Sequence, residues 1–162
     1  MRDRRPRLNA SLYVGLQRYF LTFCTHDRQR HFESSTVVEM VLGQIVTVAP
    51  DFSMAVVAYC FMPDHVHLLI EGKQENADMR AFVHRTKQKS GYLFAQTTEK
   101  RLWQPSYYDR VLRDDDATIS VVRYIVENPM RAGLVETPAD YPFLGSGQFS
   151  MTEILEAACW QP

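Results

Sequence analysis

Cysteine is scarce in this 162-residue chain. Cys24, Cys60 and Cys159 are odd in number and have no CxxC spacing. A zinc site built on thiolates is therefore disfavoured, and free thiols in a reducing cytoplasm are expected. Long apolar runs are missing too: nothing approaches a membrane span, and the opening MRDRRPRLNA has no apolar stretch resembling a signal peptide. No membrane association is expected. There is no internal repeat, no low-complexity stretch and no Pro/Gly/Ser-rich linker, so the length predicts one domain. Charge of one sign is nearly absent overall, at a net −1. What is present is ordinary globular material: 46% hydrophobic and 23% charged residues are enough for a core and argue against disorder.

The small net charge conceals blocks. Residues 1–31 carry seven arginines against Asp3 and Asp27, and residues 73–113 carry nine Lys/Arg against four acids. The intervening and C-terminal segments are acidic. Blocks of this kind form positive patches able to hold a polyanion, although a solvated surface of mixed charge explains any one of them equally well.

Along the chain, LQRYFLTFCTH (16–26) is rich in aromatic and β-branched residues and predicts a strand. Residues 34–49 place Val37, Val38, Val41, Leu42, Ile45 and Val48 near helical spacing, with Ser34 or Ser35 as N-cap. SMAVVAYCFM and HVHLLIEG predict two strands joined at Pro63-Asp64. Residues 76–96 predict an amphipathic helix with Met79, Phe82, Val83, Thr86 and Ser90 inward and Arg80, Arg85, Lys87 and Lys89 on its basic side. YYDRVLR (107–113) predicts a strand. A last helix begins in the acidic run at 114–116 and stops at Gly133. The first six elements spell the βαββαβ order of a ferredoxin-like α+β fold, an antiparallel sheet with two helices on one face. The added helix is expected against the sheet's open face.

Within HVHLLIEG, residues two apart share a face. His65 and His67 therefore point one way and Val66, Leu68 and Ile70 the other. A lone strand histidine is usually satisfied by a carbonyl or partly exposed. Two neutral imidazoles on one face can instead share a divalent cation, although a catalytic ion normally takes a further protein ligand and substrate oxygens or water. Tyr124 and Asn128 lie four apart in VVRYIVENP and would face alike on a helix. The Asn128 amide is a hard oxygen ligand suited to Mg²⁺ or Mn²⁺. Pro129 disturbs helical geometry there, so Asn128 is equally readable as the cap of a fresh turn. A tyrosine on this valine-rich helix is ordinarily a core residue.

FMPDHVHLLIEG, followed by LWQPSYYDRVLRDDDATISVVRYIVENPMRAGLV, closely resembles the REP-associated tyrosine transposases. These are a branch of the single-tyrosine HUH transposases, relatives of bacterial insertion-sequence enzymes that move single-stranded DNA. The resemblance runs from about Tyr19 through Phe143. Met130-Arg131 stand where Val-Lys is commoner, and the stretch GSGQFSMTEILEAACWQP carries no assignable motif. The resemblance implies that His65 and His67 bind a divalent metal, Mg²⁺ or Mn²⁺, and that Asn128 completes its site. Tyr124 would be the nucleophile, forming a 5′-phosphotyrosine and releasing a 3′-hydroxyl. It also implies a basic arm over 1–15, a catalytic domain over 16–145 and a tail over 146–162. The protein would be cytoplasmic, associated with the nucleoid when bound to DNA.

The implied partner is single-stranded DNA, in particular hairpins of repetitive extragenic palindromes, and the protein would act as a monomer or homodimer. Backbone grips would come from the arm, through Arg4 and Arg5 beside Arg2 and Arg7, and from Lys87, Lys89, Arg110 and Arg113. A different class of function, a non-catalytic nucleic-acid binding module, is compatible with the same fold. A metal-dependent hydrolase using water is a third. A pure binder has no use for the metal pair.

Overall fold

Strand β1 (Arg18–Cys24) reads RYFLTFC, and its burial alternates residue by residue, with Tyr19, Leu21 and Phe23 inside. Description of the chain, from a computed structural model, covers residues 10–159. After β1 come α1 (Ser35–Val48), β2 (Met54–Met62), β3 (His65–Gly72), α2 (Met79–Thr98), β4 (Tyr108–Leu112) and α3 (Asp115–Arg131). A two-residue strand β5 (Leu144–Gly145) and a short helix α4 (Met151–Ala157) complete it. All strand pairs are antiparallel, in the order β4-β1-β3-β2-β5. This is the expected βαββαβ sheet, with β5 added at the β2 edge. Among the described residues no helix is long and apolar enough to cross a membrane.

Both faces of the sheet are covered. Val66, Leu68 and Ile70 of β3, with Tyr19, Leu21 and Phe23 of β1, pack against Val38, Val41, Ile45 and Val48 of α1 and Met79, Phe82 and Val83 of α2. On the other face Leu69, Cys60 and Leu112 pack against Val121, Val122, Ile125 and Val126 of α3. The added helix thus occupies the open face, as its sequence position suggests.

Local chemistry sets the ends. Asp78 caps α2, its carboxylate accepting from the Ala81 N–H at 2.9 Å, so the helix starts at Met79 rather than at 76. Between β2 and β3, Pro63 and Asp64 make the predicted two-residue turn. Within residues 10–15 of the basic arm, Tyr13 is buried in a 3-10 turn, and Val14 bridges Asp78. Gly15 (φ 101) and Gly72 cross so closely that a Cβ on Gly72 would overlap the Gly15 carbonyl oxygen. Residues 1–9, with Arg2, Arg4, Arg5 and Arg7, lie outside the described residues.

Beyond α3 the chain returns to the β2 edge of the sheet and then forms a short helix. Tyr141 donates from its buried hydroxyl to the Phe61 carbonyl at 2.6 Å, and Phe61 N–H donates to Phe143 at 2.9 Å, seating β5 on β2. Helix α4 opens on a capping box between Ser150 and Glu153, buries Ile154 and packs on α3.

Candidate active site

β3 is an interior strand, paired with β1 on one side and β2 on the other. Its register sets His67 between Thr22 and Cys60 and His65 between Cys24 and Met62. Alternation then turns both histidines toward the α3 face. His67 is 5% exposed and His65 half-buried at the turn end of the strand.

The two rings meet through their outer nitrogens, with Nε2 of His65 3.1 Å from Nε2 of His67. Each inner nitrogen has its own partner. His65 Nδ1 lies 2.7 Å from Asp64 Oδ1, and His67 Nδ1 lies 2.8 Å from Thr22 Oγ1. Arg28 Nε donates to the second Asp64 oxygen at 2.7 Å. Burial, reinforced by the nearby His65 ring and the Arg28 guanidinium, lowers the His67 pKa to about 3, so this ring is a neutral imidazole. Burial raises the Asp64 pKa, but hydrogen bonds from His65 and Arg28 outweigh it and hold the carboxyl below its usual value.

A divalent cation fits this pair on geometric grounds. Metal–nitrogen bonds of about 2.1 Å at a right angle separate two ligand nitrogens by about 3.0 Å, close to the spacing observed. Among the described residues no group of three or more His, Cys, Asp and Glu side chains is placed to hold a metal ion.

Tyr124 belongs to α3, which starts at Asp114 with its carboxylate accepting from Ala117 N–H at 2.6 Å. Arg18 ties this first turn to β1 through Asp115 at 2.6 Å and Thr118 at 3.1 Å. Val121, Val122, Ile125, Val126 and Pro129 are the buried stripe. Tyr124 sits on its flank, 38% exposed, rather than in the core. Its ring centroid is 5.3 Å from that of His67 and 5.7 Å from that of Phe20, both edge-on. Asn128 is half-buried one turn later on the same side.

The helix does not restart at Pro129. It runs on to Arg131, with Pro129 buried, and ends in a Schellman motif in which Gly133 (φ 72) donates to Met130 and Leu134 donates to Pro129, each at 2.9 Å. Asn128 is therefore a helical residue and not the cap of a fresh turn. Seven residues after Tyr124, the Arg131 guanidinium lies 5.5 Å from the Tyr124 ring centroid.

The basic candidates divide. Arg110 is exposed on the same sheet face as its cross-strand partner Phe20, and Arg113 is exposed just before α3. Lys87 and Lys89 are on α2, across the sheet from the histidines. The Lys87 ammonium donates to the carbonyls of Gln104 and Ser106 at 2.9 and 3.1 Å, above the rings of Phe23 and Tyr107. Burial lowers its pKa to about 8. This cation props the 104–106 segment. Arg4 and Arg5 are not described.

Thr22, Arg28, Phe20 and Arg131 were not singled out from the sequence. Arg131 was accessible to it, seven residues from Tyr124 on one helical face. The others depend on strand register and loop path, which carry no local signal.

The family model described as "Transposase IS200 like" matches residues 13–128. The chain is similar to the REP-associated tyrosine transposase of Escherichia coli K12, 23% identical over 81% of this chain and 77% of that protein. A protein provisionally named a REP-associated tyrosine transposase, from Haemophilus influenzae, is 27% identical over 77% of each chain. Among solved structures, a REP-associated tyrosine transposase bound to a REP hairpin superposes with a TM-score of 0.73 at 22% identity, covering 89% of this chain and 82% of that one.

Proposed function

The chain belongs to the IS200-like transposase family, and from that premise we propose that it nicks and rejoins single-stranded DNA beside hairpins, as a REP-associated tyrosine transposase, with Tyr124 as nucleophile. The observation that carries this reading is spatial: a half-exposed phenol stands 5.3 Å, ring to ring, from a buried neutral imidazole that faces a second one.

The Tyr124 oxygen attacks phosphorus, its bond to phosphorus forms, and the bond to the 3′ oxygen breaks. A 5′-phosphotyrosine and a free 3′-hydroxyl result, with the phenol proton passing to solvent and a proton returning to the 3′ oxygen. The energy of the phosphodiester is retained, so rejoining needs no external donor. His65, His67 and the Asn128 amide would hold a divalent cation, which when bound supplies charge neutralisation and orientation of the scissile phosphate. Phe20 supports both the tyrosine and the His67 ring, fixing the direction from which the phenol approaches. The Arg131 guanidinium places positive charge beside the attacking group. Arg110 and Arg113, on the same side, grip the DNA backbone, as do Arg4 and Arg5 of the arm. The relative solved with a REP hairpin supports this class of substrate.

The test is covalent trapping. Hairpin DNA labelled 5′ or 3′ of the junction is incubated with protein and Mn²⁺, then denatured. An adduct carrying the 3′-side fragment is expected, and Tyr124→Phe should abolish it. Cleavage persisting in Tyr124→Phe would transfer the chemistry to a water nucleophile and refute the assignment. Binding without cleavage at any divalent cation would reduce the protein to a binding module.

A further inference from the structure

We propose that Asp64, Arg28 and Thr22 are positioning residues that hold the two imidazoles in unequal ways: His65 is locked in one tautomer, while His67 is free to switch. The inference rests on the reading of this pair as a cation site.

Asp64 is the lock. A carboxylate only accepts, so at 2.7 Å it requires a proton on His65 Nδ1, which in the neutral ring leaves Nε2 bare. The carboxylate is itself fixed. Arg28 Nε donates to its other oxygen at 2.7 Å, and Arg28 Nη1 reaches Cys24 Sγ at 2.9 Å. To do so Arg28 adopts φ 56, directly after Asp27 at φ 51. Two successive left-handed non-glycine residues are rare and persist where the surroundings over-determine them. Here the surroundings are explicit. The backbone N–H and hydroxyl of Thr25 both donate to the Asp64 carbonyl at 3.0 Å, and Phe32 N–H donates to the Pro63 carbonyl at 3.0 Å. The loop after β1 thus clamps the turn that presents His65.

Thr22 is different in kind, because a hydroxyl donates or accepts. With His65 Nε2 bare and 3.1 Å away, His67 without a cation must carry its proton on Nε2 and donate it to His65, while Thr22 donates to Nδ1. With a cation between the rings, the same proton must sit on Nδ1 and be donated to the Thr22 oxygen. The ring is neutral in both states, and solvent exchange moves one proton without net release. A carboxylate in place of Thr22 would lock Nδ1–H and leave two lone pairs facing each other in the empty pair. One fixed ligand and one adaptable ligand let the pair be closed by its own hydrogen bond and still open to an ion.

The experiment uses the full chain without DNA cleavage as a readout. Long-range ¹H–¹⁵N correlation in EDTA should show the Nδ1–H tautomer at His65 and the Nε2–H tautomer at His67, the latter changing to Nδ1–H on addition of diamagnetic Mg²⁺. Mn²⁺ affinity by electron paramagnetic resonance should fall about 10–100-fold in Asp64→Ala and in Thr22→Val, with hairpin affinity in EDTA little changed. If Asp64→Ala does not fold, Asp64→Asn, whose amide oxygen still accepts from Nδ1–H, should show a smaller loss, and Thr22→Val is an independent arm. An Nε2–H tautomer at His65, or Mn²⁺ affinities of both variants within about twofold of wild type, would overturn the inference. Failure of the wild type to bind either ion, with the tautomers as stated, would instead overturn the cation reading beneath it.

Discussion

Lowering the pH should unfold this protein partly through His67. The ring has an ordinary pKa of 6.5 in the unfolded chain and about 3 in the fold, because burial disfavours its charged form and His65 and Arg28 lie near. Between those values the unfolded chain binds a proton that the native state refuses, so stability is complete above the unfolded value and is lost as pH falls below it. The slope is about 1.4 kcal/mol per pH unit for one proton, which gives a loss of about 2 kcal/mol by pH 5. That is a large part of a typical stability of about 5–15 kcal/mol. His31, also lowered by burial, adds to the same limb, whereas the Asp64 contribution is lost only below the ordinary carboxylate range. Comparison with His67→Gln isolates the term. Urea unfolding in EDTA from pH 7.5 to 5 should cost the wild type about 2 kcal/mol more than the variant. Parallel curves for the two proteins would refute the assignment of His67 as a buried neutral base.

Mn²⁺ at a hundred times its dissociation constant should stabilise the wild type by about 2.7 kcal/mol, raising the melting temperature by about 5–10 °C, with no rise in His65→Ala or His67→Ala. Gly72→Ala would drive a methyl into the Gly15 carbonyl and the Ala77 side chain, and chemical denaturation should show a loss of about 3 kcal/mol or more. Gly133→Ala meets no atom within 4 Å but must hold φ 72, so its loss should be only about 1 kcal/mol, measured in the same way.

Much of the architecture could be read because two periods are clear. HVHLLIEG separates an apolar row from a histidine row, and the α2 face from Met79 to Ser90 is buried as its spacing predicts. β2 was less legible. A bulge between Val56 and Ala58 changes its parity, so that Met54, Val56 and Phe61 face one layer while Ala58, Cys60 and Met62 face the other. Simple alternation cannot reveal that. Pro129 argued locally for a break, yet burial of its ring and the Schellman hydrogen bonds beyond it keep α3 continuous. α4 has only seven residues, too few for periodicity, and its capping box was the one available sign. At the site, the histidine pair was visible as a strand pattern. The hydroxyl of Thr22 was not, because its partner is 45 positions away and the register between β1 and β3 decides the contact.

The order of elements also dictates how the machinery is born on the ribosome. Residues 18–112 contain all four strands of the βαββαβ unit and both imidazoles, whereas the phenol arrives only with the helix that begins at Asp115. A nascent chain can thus pair its strands and set its histidines before the residue proposed as nucleophile has been made, so that group is fitted last.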